Sequence, residues 1–190
     1  MSDLARVAET ITRARDERGR IAVGVSGYAG AGKSTLTRHL LDQLDDAVRV
    51  RGDEFLDPQR IVRRSSDWDG VLRDRLRSEV LEPFRAGRPV AVRPLDWATG
   101  TWGEPAPLPR ASVLVVDLIG LFHPEVLPWL DVRVWVEADP EIALQRGMQR
   151  DRDAGLDHDA LWRDVWAPND RVFEQVFAPA EHADVRFSSS

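Results

Sequence analysis

The sequence predicts an α/β domain built on a parallel sheet with helices on both faces, and three observations carry that expectation. Short β-branched runs alternate with stretches of helical spacing, a glycine cluster separates the first such run from the helix after it, and no run is apolar for long enough to span a bilayer. A chain of 190 residues, 43% hydrophobic and 31% charged, can bury one core, so residues 1–190 are read as a single domain. No basic-then-apolar leader follows Met1, which sets the expectation of a cytoplasmic protein with no membrane partner.

The elements follow in order. Leu4, Val7, Ala8, Ile11 and Ala14 recur at helical spacing up to Gly19, predicting an opening amphipathic helix. Arg20 to Ser26 (RIAVGVS) predicts a strand, and Leu36, Leu40, Leu41 and Leu44 a second helix beginning at Lys33. Ala47 to Arg51 (AVRVR) reads as a strand, and Trp68, Val71, Leu72, Leu76, Val80 and Phe84 mark a long helix kinked near Pro83. Pro89 to Leu95 alternates weakly, whereas Asp96 to Arg110, rich in proline and glycine, predicts an irregular loop. Ser112 to Asp117 (SVLVVD) and Asp131 to Glu137 (DVRVWVE) are strands of the buried parallel kind. Asp139-Pro140 caps a helix running towards Arg150, a polar stretch lasts to Asp159, and a last helix extends to Phe177 with a break or bend at Pro168. Ala183 to Phe187 predicts a final strand.

Composition narrows the chemistry. The absence of cysteine removes disulfides, thiolate zinc sites and a cysteine nucleophile, and His39, His123, His158 and His182 are too scattered for a metal cluster, so any metal is expected on oxygen ligands. A formal net charge of -6 argues against a nucleic-acid partner held through a basic face. Of the 26 basic residues only Lys33 is a lysine; arginine suits bidentate phosphate contacts, although a GC-rich genome gives the same bias.

That lysine lies in Gly27-Tyr28-Ala29-Gly30-Ala31-Gly32-Lys33-Ser34, which fits G-x-x-x-x-G-K-[ST] between a predicted strand and a predicted helix. Glycines let the backbone N–H groups from Gly27 to Thr35 wrap a phosphate, the helix dipole adds positive charge, Lys33 reaches the β- and γ-phosphates, and Ser34 offers a hydroxyl to Mg²⁺. The cofactors expected are therefore ATP and Mg²⁺. An Asn-Lys-x-Asp guanine-reading segment and a Leu-Ser-Gly-Gly-Gln signature are both absent. A small-molecule kinase needs a base for the acceptor hydroxyl, an acidic group near Mg²⁺ and arginines over the migrating phosphoryl group. Asp53 ends the second strand and is the candidate base; Asp117 ends the run Val113 to Val116 and is the candidate metal residue with Ser34. Either carboxylate also suits a turn or a cap. Arg146 and Arg150, four apart on one helix face, are candidates for the clamp, against the simpler reading of a solvated charged face.

With these residues in place the chain resembles the uridine kinase and phosphoribulokinase group of P-loop kinases from about Ile21 to Val185. The marks, in order, are the loop Gly27 to Ser34; Asp53-Glu54-Phe55, similar to the Asp-x-Phe motif whose aspartate is the base; and Asp67-Trp68-Asp69, similar to the aspartate-rich acceptor segment. Arg93-Pro94-Leu95-Asp96 is similar to a Pro-x-Tyr-Asp turn, Val116 to Gly120 follows, and Arg146 to Asp151 resembles the Arg-x-x-x-Arg-Asp entry to the lid. The resemblance implies a P-loop NTPase fold, three layers α/β/α with a mostly parallel five-stranded sheet and a small lid at about 150–159. It implies catalytic roles for Lys33, Asp53, Arg146 and Arg150, and acceptor contacts from Asp53, Phe55, Asp67, Asp69, Arg93, Asp96 and Trp97.

The chain departs from the pattern where Leu95 replaces a tyrosine, where no histidine stands near Gly100, and in the acidic lid residues Asp151, Asp153, Asp157 and Asp159, so pyrimidine specificity is not carried over. Trp97 and Trp102 in the same loop suit stacking or ordinary packing. The expected function is transfer of the γ-phosphoryl group of ATP to a hydroxyl of a small metabolite, foremost a nucleoside. The alternatives are a nucleoside monophosphate kinase, with Arg60, Arg63, Arg64 and Arg93 in its pocket, and a nucleotide-dependent switch. The expected partner is the small-molecule acceptor, and self-association into a homo-oligomer is left open.

Overall fold

The computed structural model describes residues 2–189. Helix α1 (Asp3–Arg18) is capped by Ser2, whose Oγ accepts from the Ala5 N–H, and closes at Gly19 with φ 79°. The buried strand β1 (Ile21–Ser26) runs into the glycine loop, from which α2 (Lys33–Leu41) departs. β2 (Ala47–Arg51) is followed directly by a 3-10 turn, Gly52–Phe55. α3 (Arg73–Leu76), a π-helical stretch Arg77–Leu81 and α4 (Glu82–Arg85) run on as one helix. Short strands β3 (Ala91–Val92), β4 (Leu95–Asp96), β5 (Thr101–Trp102) and β6 (Ala106–Pro107) come next, then β7 (Val113–Asp117) and β8 (Val132–Glu137). α5 (Pro140–Asp153) precedes a continuous helical stretch made of α6 (Asp159–Leu161), a π-helical segment Trp162–Trp166 and α7 (Ala167–Phe177), and β9 (Val185–Ser188) completes the sheet.

The sheet has five strands in the order β2-β7-β1-β8-β9, and every pairing is parallel. Alternation along β7 divides the core: Val113 and Val115 pack with Val7, Ile11, Leu36 and Leu40 from α1 and α2, while Leu114 and Val116 pack with Leu76, Val80, Phe84 and Phe173 on the opposite face. Helices on both faces of a parallel sheet make the three-layer α/β/α architecture of the P-loop NTPases.

The structure corrects several element boundaries. The long helix begins at Arg73 rather than near Trp68, which is 1% exposed and held at φ 55° in the turn before it. Neither proline breaks its helix. Pro83 and Pro168 each follow a π-helical turn in which the preceding N–H, of Glu82 or Ala167, reaches back five residues, to Arg77 O or Trp162 O. That wider turn accommodates a ring with no N–H of its own while the helix continues. The loop 96–110 is not irregular: β3 pairs with β6 and β4 with β5, antiparallel, so 91–107 forms one nested hairpin. The expected lid segment 150–159 divides into the last turn of α5, an exposed connection and the start of α6.

α5 crosses the π-helical segment through Gly147, where an added Cβ would lie 2.1 Å from the Trp162 ring. Trp162 cannot swing aside, because its Nε1–H donates to buried Asp151 at 2.8 Å. Gly147→Ala should therefore destabilise the protein by about 1–3 kcal/mol, read as a lower urea midpoint at unchanged m-value; an unchanged midpoint would show that the two helices separate freely.

Candidate active site

The glycine loop meets the conditions set by its motif. It leaves the carboxyl end of β1 and enters α2 with Lys33 at the first helical position and Gly32 in the left-handed region, φ 97°. Gly30, at φ 80°, lies so close to α5 that a Cβ would come within 2.1 Å of Ala143 O, so no other residue fits there. The Lys33 ammonium donates to Gly27 O at 3.0 Å and Tyr28 O at 2.7 Å, tying down the first arm of the loop. Burial pushes the Lys33 pKa below its ordinary value, opposed by the charges of Asp170, Asp117 and Asp53. Burial also raises that of Tyr28, with Glu174 and Asp170 adding to the effect.

Ser34 and Asp117 come together as the sequence predicts, Ser34 Oγ donating to Asp117 Oδ2 at 2.7 Å. A hydroxyl beside a carboxylate is a hard-oxygen pair that fits Mg²⁺, with phosphate oxygens and water as the remaining ligands. Among the described residues no cluster of acidic or histidine side chains offers a self-sufficient metal cage. One partner escaped the sequence reading: Arg49 on β2 forks onto Asp117, its Nε at 2.7 Å and its Nη2 at 2.6 Å. Bonding to Asp117 raises the Arg49 pKa. Alternating charges on β2 gave no sign of this pairing, which depends on β7 lying next to β2.

Asp53 is exposed in the 3-10 turn at the end of β2, and its charge acts on both Lys33 and Arg49. Its neighbours hold structure instead. Phe55, expected at the acceptor site, is 0% exposed and belongs to the core, with the Arg75 guanidinium 5.2 Å from its ring centroid. Glu54 anchors the hairpin: its carboxylate accepts from the Leu95 N–H and its carbonyl from Trp102 Nε1–H at 3.0 Å. The hairpin is thereby fastened beside Asp53. Asp96 organises the hairpin tip by accepting from Ala98 N–H at 2.9 Å, and bonds to the Ala98 and Thr99 backbone and to Thr99 side chain pull its pKa down. Arg93 donates to Gly103 O at 3.3 Å across the hairpin, while Trp97 stands 49% exposed at the tip. Asp67 accepts from Ser65 Oγ at 2.8 Å, and Asp69 is exposed. Arg146 and Arg150 share the exposed face of α5. Arg146 donates to Ser189 Oγ at 3.0 Å, and Arg150 pairs with Asp151 at 2.8 Å while lowering the Lys33 pKa through its charge.

The largest omission from the sequence reading is Asp170. Its carboxylate is buried, Oδ2 accepting from the Ala29 N–H of the phosphate loop at 2.7 Å and Oδ1 from Trp68 Nε1–H at 3.1 Å. Burial raises its pKa to about 6 against the lowering effect of Lys33.

No protein-family model matches the chain. Among curated proteins it is 28% identical over 141 residues to inorganic pyrophosphatase TTM2 of Arabidopsis thaliana, covering 70% of this chain and 20% of that one. It is 22% identical over 177 residues to the uridine kinase of Streptococcus uberis, covering 87% and 84%. The chain spans only 20% to 32% of the length of the plant relatives it matches, which include uridine kinase-like proteins 3 and 5. A Silicibacter sp. TM1040 protein described as a candidate fructose transport system kinase superposes with a TM-score of 0.75 at 22% identity, covering 98% of each chain. The fold is that of the P-loop kinases. Uridine kinases are among the homologues of this chain.

Two expectations follow for this P-loop kinase fold. Arg49→Met leaves the buried Asp117 carboxylate without its fork and should cost about 3 kcal/mol in urea unfolding at neutral pH; a loss below about 0.5 kcal/mol would mean that water replaces the guanidinium fully. Asp170 has a folded pKa of about 6, above the ordinary carboxyl value, so its bound proton stabilises the fold fully below about pH 4 and that contribution is lost as pH rises through about 6. Between those limits the stability difference should move in favour of Asp170→Asn by about 3 kcal/mol. Parallel stability-against-pH curves for the two proteins would contradict it.

Proposed function

We propose that this chain transfers the γ-phosphoryl group of ATP to a hydroxyl of a small metabolite, with a nucleoside as the acceptor class. The supporting observation is the convergence of Lys33, Ser34, Asp117 and Asp53 at the carboxyl edge of β1, β7 and β2. In this reading the loop N–H groups and the α2 N-terminus bind the phosphates, and Lys33 exchanges its carbonyl partners for phosphate oxygens. Ser34 and Asp117 would hold Mg²⁺, which would supply positive charge against that of the phosphates.

Asp53 is the exposed carboxylate of the group, next in sequence to the Glu54 that fastens the hairpin, and in this reading it accepts the proton of the attacking hydroxyl or orients it. Arg146 and Arg150 lie on the helix against which the loop packs, and Arg150 already acts electrostatically on Lys33. They offset charge on the migrating group and displace water. The nucleoside reading draws on the exposed Trp97 indole, a flat apolar face suited to stacking on a ring, and on the uridine kinase relatives. Three of the four arginines that a monophosphate kinase would draw on have other partners: Arg60 with Asp57 at 3.4 Å, Arg64 with Asp164 O at 3.4 Å and Arg93 with Gly103 O.

The test is Mg²⁺-dependent ADP release across a panel of nucleosides, nucleoside monophosphates, vitamin alcohols and sugar phosphates. One acceptor class should stimulate release, and Asp53→Asn should lower the stimulated rate by about 100-fold or more with ATP binding retained. A slow rate indifferent to every acceptor and to Asp53 would replace this reading with that of a regulatory ATPase.

A further inference from the structure

α7 and the segment before it present a single face to residues 61–68. Trp166 Nε1–H donates to Ile61 O at 2.8 Å. Asn169 takes two bonds, its Nδ2 donating to Arg63 O at 2.9 Å and its Oδ1 accepting from Ser65 N–H at 2.9 Å. Asp170, one residue on, takes the Trp68 indole with one oxygen and the Ala29 N–H of the phosphate loop with the other. Residues spaced i, i+3 and i+4 share a helix face, so these contacts belong to one surface. On it Asp170 bonds to both the phosphate loop and the Asp67-Trp68-Asp69 turn.

We propose that Asp170 is a positioning residue that couples the phosphate loop to the acceptor-side turn, so that loop geometry depends on the Trp68 indole although that ring never touches the loop. The inference rests on the kinase reading given above. Its chemistry lies in the donors: both partners are N–H groups, and an ionised carboxylate accepts from each, whereas an amide must turn its own NH₂ towards one of them. Burying a carboxylate is costly, and an uncharged core residue would fill the space without that cost.

The need for a second anchor follows from Lys33. In this structure Lys33 holds the loop's first arm by its bonds to Gly27 O and Tyr28 O. A lysine that moves onto phosphate gives those carbonyls up, and the bond from Ala29 N–H to Asp170 then still fastens the backbone of that arm. Asp170 thus keeps the loop shaped while the lysine is in use, and ties that shape to the turn that meets the acceptor.

Calorimetric titration of ATP with Mg²⁺, without acceptor, tests this independently of turnover. Asp170→Asn loses one charge-assisted bond and should weaken ATP binding by about 10- to 100-fold. Trp68→Phe keeps the ring and removes only its N–H; it should weaken binding by about 3- to 10-fold and add little when combined with Asp170→Asn. Should Asp170→Asn fail to fold, Trp68→Phe alone decides, since a packing role for Trp68 would leave ATP affinity unchanged. Wild-type affinity in Trp68→Phe overturns the coupling while leaving the kinase reading intact; wild-type protein that binds no ATP overturns both.

Discussion

Parallel pairing around β7 is the constraint on which the site depends. β7 lies between β2 and β1, and its last residue, Asp117, stands in register with Arg51 on one side and Val25 on the other. Parallel strands end on the same edge, so the chain leaves β1 as the glycine loop and β2 as the Asp53 turn within reach of the same carboxylate. A one-residue slip of β7 would turn Asp117 and every Val and Leu of the strand to the opposite face. The two cores forbid that, since Val113 and Val115 fill one of them and Leu114 and Val116 the other. Hydrophobic packing therefore fixes the position of a charged group.

Bringing charges to one edge creates a desolvation problem that each group solves differently. Asp117 is matched by the Arg49 fork and the Ser34 hydroxyl, so it keeps strong partners even without a cation. Lys33 rests on backbone carbonyls of its own loop, which satisfy an ammonium without neutralising it and can be released at little cost when phosphate arrives. Asp170 has only N–H partners, and its pKa rises to about 6 in consequence of burial. Asp53, by contrast, remains exposed. The order of solvation among the carboxylates follows the proposed mechanism: Asp117 and Asp170, which hold geometry, are buried, and Asp53, which must meet a substrate hydroxyl, is open to solvent.

Elements and architecture were legible where a pattern is local. The periodicity of α1, the β-branched runs and the glycine loop each specify themselves, and strand-helix alternation is enough to give a parallel sheet with helices on both faces. The failures share a cause in tertiary context. Proline signals a kink at 83 and a break or bend at 168 by local rules, and a π-turn before each ring lets the helix continue without a break. Weak alternation over 89–95 and a proline- and glycine-rich stretch over 96–110 conceal a hairpin because Glu54, some forty positions away, supplies the anchor through Leu95 and Trp102.

The candidate site divides in the same way. Lys33, Ser34, Asp53 and Asp117 could be found because each sits at a position that motif or strand-end logic marks. Arg49, Asn169 and Asp170 could not, since their importance lies in which strand or loop ends up across from them. Asn169-Asp170 reads in sequence as an ordinary polar pair in an amphipathic helix, and only the docking of that helix against residues 61–68 and the loop gives it partners. Motifs thus mark the atoms to which the proposed mechanism gives contact with substrate, while the groups that hold those atoms in place become visible only when distant segments meet. Phe55 is the converse case: it lies inside a motif yet is wholly buried, so proximity in sequence to Asp53 places it in the core beneath the site rather than at its surface.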